Sequence, residues 1–204
     1  MELHEIRPGV WRWVAAHPEW RPGAKPESPA DWPEEVGSVV ARVPGGVVFI
    51  DALAPEGGGE ALWAQLDGLV AGAEHVWALT TIKFHRRSRD AFVARYDAST
   101  SRARSSLPDG IEAIPIHGAG ETMFWLADQR TLVCGDRIVG DRRGGLRLCP
   151  ESWLGYLGRG MDLAGLREAL MPLLELPVAA VIVSHGDPVL EGASGALRYA
   201  IRGK

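Results

Sequence analysis

Residues 111–140, IEAIPIHGAGETMFWLADQRTLVCGDRIVG, carry the pattern that decides the fold. Three β-strands are legible in them: Ile111 to Ile116, Thr122 to Leu126 and Thr131 to Cys134. Each is a short apolar run rich in β-branched or aromatic residues. Ala127-Asp128-Gln129-Arg130 is a polar turn that joins the last two as a hairpin. The residues just past each strand are equally informative. The first strand runs into His117 and then Gly118-Ala119-Gly120, the third into Gly135-Asp136. Glycine lets a backbone approach closely, and in open α/β sheets the strand ends carry the ligand.

Outward from that stretch the same arrangement repeats. Val47-Val48-Phe49-Ile50 ends in Asp51, the strand Val76 to Thr80 precedes His85, and Ala179 to Val183 ends in Ser184-His185-Gly186-Asp187. Five strand ends thus present a carboxylate or an imidazole. Further strands are expected at Val10 to Val14 and Gly37 to Val43, the latter paired with 47–50 through Pro44-Gly45-Gly46. Helices alternate with the strands. One opens at Gly57-Gly58-Gly59 and aligns Leu62, Leu66, Leu69 and Val70; a second spans Arg89 to Tyr96; a third is capped by Asp162 and carries Leu163, Leu166, Leu170, Leu173 and Leu174 on one stripe; a fourth runs from about Ala193 to Ile201. Residues 137–160 read as a long Gly/Arg-rich connection without regular structure, and 18–33 as an irregular loop. No repeat or linker divides the chain, so one domain over residues 1–204 is expected.

Composition narrows the function. The chain has 204 residues, 46% hydrophobic and 24% charged, with net charge −4. Two cysteines, Cys134 and Cys149, make no disulfide framework. The first residues lack the basic and apolar regions of a signal peptide, and no stretch approaches the roughly 18 apolar residues of a membrane span. A cytoplasmic protein without a membrane partner is the expectation. The acidic balance argues against a nucleic-acid partner, which would demand a basic face. A small-molecule substrate or ligand is left; the oligomeric state is not specified.

Taken singly, the strand-end residues are bland: an Asp after a strand commonly forms a turn, and a lone His is commonly structural. In combination they are the donor types of a hydrolytic zinc or iron centre. Ser184-His185 is no nucleophile elbow, because the glycines of G-x-S-x-G are missing. Glu121 reads either as a pocket carboxylate or as a hairpin residue.

In series, FIDALAP around Asp51, IPIHGAGETMFWL around His117, LVCGDRIVG around Asp136 and VIVSHGDPV around His185 resemble the successive motifs of the metallo-β-lactamase superfamily. The resemblance runs from about residue 10 to the C-terminus. It implies an α/β fold, a four-layer αββα sandwich, with a site where the two sheets meet at one edge. It further implies that Asp136 bridges two metals, that His117 serves the first and His185 the second, and that Asp51 supports the site.

The central motif departs from that pattern. Where the superfamily carries H-x-H-x-D-H, this chain reads Thr81-Ile82-Lys83-Phe84-His85-Arg86-Arg87-Ser88. Begun at Thr81, the motif retains only His85, in the aspartate's place; begun at Ile82, it retains no ligand type. Charged Lys and Arg donate hydrogens only, and a cation close to a metal opposes its binding. The segment therefore has two readings. In one, a single divalent metal, zinc or iron, is held by His117, Asp136 and His185 and activates water against a small molecule. His85 then acts as a fourth ligand or general base, and Asp51 orients a ligand. In the other, Lys83 or Arg86 replaces the metal's charge beside Asp136, and the scaffold is a metal-free ligand-binding or interaction module.

Overall fold

Strict alternation of side chains along the strands builds two sheets and three buried layers. The computed structural model describes residues 2–54, 59–101, 103, 106–141, 143–157 and 160–203. The first sheet takes β1 (His4–Arg7), β2 (Val10–Ala16), β3 (Glu35–Val43), β4 (Gly46–Ile50) and β5 (His75–Leu79) in sequence order. Its pairings are antiparallel except β4 with β5, which is parallel. The second sheet uses β6 (Ile111–Ile116), β7 (Glu121–Leu126) and β8 (Thr131–Cys134). After a two-stranded ribbon of β9 (Ile138–Gly140) and β10 (Leu146–Leu148), it is completed by β11 (Ala180–Val183). Its order is β11-β8-β7-β6, with β11 parallel to β8.

Residue parity sorts the core. Val39, Ala41, Val48 and Ile50 of the first sheet meet Phe124, Leu126, Val133 and Ile182 of the second. Their neighbours Val40, Val47 and Phe49 face outward onto Leu62 and Leu66 of α1 (Glu60–Val70) and Phe92 of α2 (Arg89–Tyr96). Across the molecule, Trp125, Leu132 and Val181 face Leu166 and Leu170 of α3 (Leu163–Leu170) and Leu197 and Ile201 of α4 (Ala193–Arg202). The layers are therefore helix, sheet, sheet, helix. A one-residue slip in any central strand would exchange its two apolar faces.

Two local expectations change. The segment 137–160 is not irregular: β9 and β10 form an antiparallel ribbon whose Ile138, Leu146 and Leu148 are buried beside α4. Three-residue strands are too short to show a period in sequence. The leucine stripe after Asp162 also breaks, because Pro172 ends α3 and carries Leu173 and Leu174 into a 3-10 turn at Met171–Glu175. Asp162 does cap α3, its Oδ1 accepting from Gly165 N at 2.8 Å. Residues 57 and 58 of the glycine run lie outside the described residues; Gly59 immediately precedes α1. Among the described residues no helix is long and apolar enough to cross a membrane.

Strand direction places the site. β2, β4 and β5 run one way in the first sheet, and β6, β8 and β11 run one way in the second. The edges where these strands end are joined: Gly37 N donates to Ser184 O at 2.7 Å, and Ile82 bridges Glu121. Asp51, the segment from Thr81 to Arg87, Asp136 and His185 all belong to this seam.

Candidate metal centre

On the first sheet's side the organising group is Asp51. It leaves β4 with φ +51°, a left-handed backbone that a non-glycine residue adopts at a cost. The carboxylate is buried and fully used: Oδ1 accepts from Thr81 N at 2.8 Å, and Oδ2 accepts from Thr81 Oγ1 and, at 2.8 Å, from His85 Nδ1. His85 sits in the short 3-10 turn Lys83–Arg86 and is itself buried. Because Asp51 holds the Nδ1 proton, the neutral His85 ring turns an Nε2 lone pair toward the second sheet. Metal-ligating histidines are commonly oriented by a carboxylate in this way.

On the second sheet's side, Glu121 builds the turn that presents Asp136. Its buried carboxylate accepts from Gly135 N (2.9 Å), Asp136 N (2.7 Å) and Arg137 N (2.9 Å). Burial, and then the charge of Asp136, raises the Glu121 pKa. Gly135 is required where the sheets touch: a Cβ there would lie 2.4 Å from Thr81 Oγ1. Glu121 is thus a hairpin residue with a buried structural task, at the first residue of β7, one position before the strand start expected from sequence.

The two sides converge on one oxygen. His85 Nε2 lies 2.9 Å and His185 Nε2 3.2 Å from Asp136 Oδ1. These are close contacts, yet among the described residues Asp136 Oδ1 has no aligned hydrogen-bond donor, and His185 Nδ1 is buried without a partner. One ligand atom from each of His85, Asp136 and His185 lies within 4.8 Å of the others. Tetrahedral donors around a zinc ion stand roughly 3.3 Å apart, so the observed separations suit a single ion shared by the three. Two lone pairs facing each other across 2.9 Å call for a cation between them. Either a metal or a proton meets that need.

The electrostatics without an ion show the proton's claim. Burial, the largest influence on His85, disfavours its charge and Arg87 adds to that, but the Asp136 and Asp51 carboxylates prevail and push its pKa up to about 9. Asp136 is opposed by burial too, yet the His85 charge and the contacts of both histidines hold it well below the usual carboxylate range. His185 is lowered, chiefly by burial.

The structure gathers Asp51, His85, Asp136 and His185, and it separates His117 from them. His117 is exposed in the turn after β6 and is not among the three converging donors. Strand order gives the reason. β6 lies two strands from β8, so its end stands about 10 Å from the turn bearing Asp136. Of the residues the resemblance singles out, Asp136 and His185 are brought together, and His85 rather than His117 stands beside them. The cations are also redistributed. Arg86 is exposed and pairs with Asp90 at 2.6 Å, and Lys83 Nζ lies over the Phe84 ring, so neither partners Asp136. Arg87 turns inward instead, with φ +40°. It donates to Gly37 O (2.8 Å), Asp51 O (2.7 Å) and Ser184 Oγ.

The donors lie at the base of a cleft of about 280 Å³ whose walls include Trp32, Phe84, Trp153 and Tyr156. The segments bearing Trp32 and Trp153, distant in sequence, are tied together: Trp153 Nε1 donates to Ser28 O (3.3 Å) and Ser152 Oγ to Glu27 O (2.6 Å). Arg137, fully buried, braces the floor through Ala119 O (3.0 Å) and Trp153 O (3.3 Å).

Comparison with known proteins agrees with this architecture. No protein-family model and no curated protein sequence matches the chain. Among solved structures, that of DIM-1 metallo-β-lactamase exposed to ceftazidime matches with TM-score 0.65 and 13% identity, covering 99% of this chain and 96% of that one. A metallo-β-lactamase from Erythrobacter litoralis gives 0.62 and 13%, covering 99% and 92%. One from Pontibacter korlensis gives 0.56 and 14%, covering 100% and 99%. The chain has the metallo-β-lactamase fold, an α/β sandwich of four layers, and it carries a candidate His-Asp-His metal site at the fold's sheet junction.

Proposed function

We propose that this protein is a hydrolase of a small molecule that works with one divalent metal, zinc or iron, held by His85, Asp136 and His185. The observation that carries the reading is the convergence of His85 Nε2 and His185 Nε2 on Asp136 Oδ1, with the other His85 nitrogen already committed to Asp51. Two imidazoles and a carboxylate suit either ion. When bound, such an ion supplies the Lewis acidity that brings water toward deprotonation near neutral pH and polarises a carbonyl or phosphoryl group. Asp51 fixes the His85 tautomer, Glu121 fixes the turn under Asp136, and the aromatic side chains Trp32, Phe84, Trp153 and Tyr156 line the cleft that a substrate would enter. A single ion is favoured because the other half of a two-metal set is spent elsewhere. Thr81 is bonded to Asp51, Lys83 is exposed over Phe84, and His117 is exposed.

The test is elemental analysis of protein made in zinc- or iron-supplemented medium. One ion per chain is expected in the wild type and none in Asp136→Ala. Absence of stoichiometric metal from the wild type overturns the reading.

Arg87 favours a second reading. With His85 protonated, two cations face the carboxylates of Asp51 and Asp136, and the cluster is balanced without an ion. The cleft would then serve ligand binding alone, and the wild type would leave the same medium metal-free.

A further inference from the structure

Another histidine lines the cleft beside the converging donors. His17 directly follows β2, so the strand that runs parallel to β4 delivers it to the same edge as Asp51. Its backbone N donates to Glu34 O at 2.8 Å, which anchors the residue where the loop 17–34 leaves the sheet. The ring is held edge-on to Trp32, with centroids 5.1 Å apart and planes at 90°, and Trp32 in turn meets the His185 ring at 6.1 Å. His17 Nδ1 accepts a hydrogen bond from Glu19 N at 3.2 Å. An acceptor nitrogen is unprotonated, so the neutral ring carries its proton on Nε2. Among the described residues that Nε2–H has no hydrogen-bond partner, and it is not one of the sealed polar atoms. The ring is thus a half-buried donor of fixed tautomer on a residue that lines the cleft.

We propose that His17 Nε2–H is the hydrogen-bond donor for an oxygen of the ligand bound at the His85-Asp136-His185 cluster. The ligand class is one whose carbonyl or phosphoryl oxygen carries or gains negative charge. The assignment rests on the reading of the cluster as a ligand-binding centre, and it gives His17 a role distinct from metal ligation, since it stands outside the group of converging donors. A neutral donor suits the task, because it stabilises an oxyanion without adding a further cation beside Arg87. Burial, followed by the Arg87 guanidinium, keeps the His17 pKa lowered, consistent with a neutral ring. Donors preorganised toward an oxygen of growing charge are a principal means of stabilising acyl- and phosphoryl-transfer states.

The experiment titrates inorganic phosphate into zinc-loaded wild type, His17→Phe and His17→Gln by calorimetry, with zinc content measured for each. Loss of one hydrogen bond to a charged oxygen corresponds to about a tenfold or greater weakening. That loss is expected in His17→Phe, with largely wild-type affinity in His17→Gln, whose side-chain amide retains an N–H donor, and with unchanged zinc content in all three. Equal phosphate affinity in the three proteins, or no phosphate binding by the wild type, overturns the donor assignment. A fall in zinc content in His17→Phe also overturns it, by making His17 a metal ligand. If the wild type takes up no zinc, the metal reading fails separately. The same comparison on metal-free protein then decides the role of His17.

Discussion

His85 is clamped between two carboxylates on different sheets, with Asp51 Oδ2 2.8 Å from its Nδ1 and Asp136 Oδ1 2.9 Å from its Nε2. One imidazole therefore reads both halves of the sandwich at once, and the consequences divide according to which carboxylate is altered.

Asp51→Asn leaves an acceptor for Thr81 but weakens the charge that holds the His85 proton on Nδ1. Zinc affinity is expected to fall 10- to 100-fold, the usual effect of losing a ligand's orienting carboxylate. Competition against a chromophoric chelator measures it. Unchanged affinity would show that the Asp51–His85 bond does not set the site.

In metal-stripped protein His85 has a folded pKa of about 9 against an ordinary value of 6.5. A raised imidazole pKa favours the folded state fully below pH 6.5, and that contribution disappears as pH rises through about 9. Urea unfolding in the presence of chelator should show wild type losing stability between those values relative to His85→Gln. A metal displaces that proton, so zinc affinity should rise over the same window. Parallel pH profiles for wild type and His85→Gln would contradict the assignment.

Glu121→Ala strips three backbone N–H groups of their acceptor at once. A loss of at least about 3 kcal/mol is expected, which for a chain of this length lowers Tm by roughly 10 °C. Calorimetry checks the stability, and zinc titration should show a weakened site because Asp136 rides on the same turn.

Gly135→Ala pushes a methyl group against Thr81 Oγ1 and Glu121 Oε2. Overpacking of this kind costs about 1–3 kcal/mol. Combining it with Thr81→Ala should be less damaging than the sum of the two single changes, since the deleted hydroxyl is the nearest obstacle. A double-mutant cycle by chemical denaturation supplies the comparison.

The layers were legible in the sequence because their signals are local. The alternation of Val39, Val40 and Ala41, the leucine spacing of α1 and the carboxylate or imidazole after five of the strands can all be read without knowing which strands pair. That His85 and not His117 stands with Asp136 and His185 was not legible, because it depends on the order β11-β8-β7-β6, which sets β6 two strands from β8. Nor was the inward cation. Lys83, Arg86 and Arg87 look alike in sequence, and only the left-handed backbone at Arg87 turns that one toward Ser184. His17 obeys the same strand-end rule as the others, and following β2 to its last residue would have found it.

The bonds from Trp153 to Ser28 and from Ser152 to Glu27 join parts of the chain 125 positions apart. The converging donors sit on the turns at the shared edge of the sheets, whereas Trp32, Trp153 and Tyr156 above them belong to these two docked loops. Variation in either loop can therefore reshape what the cleft admits while leaving the donor cluster beneath it intact.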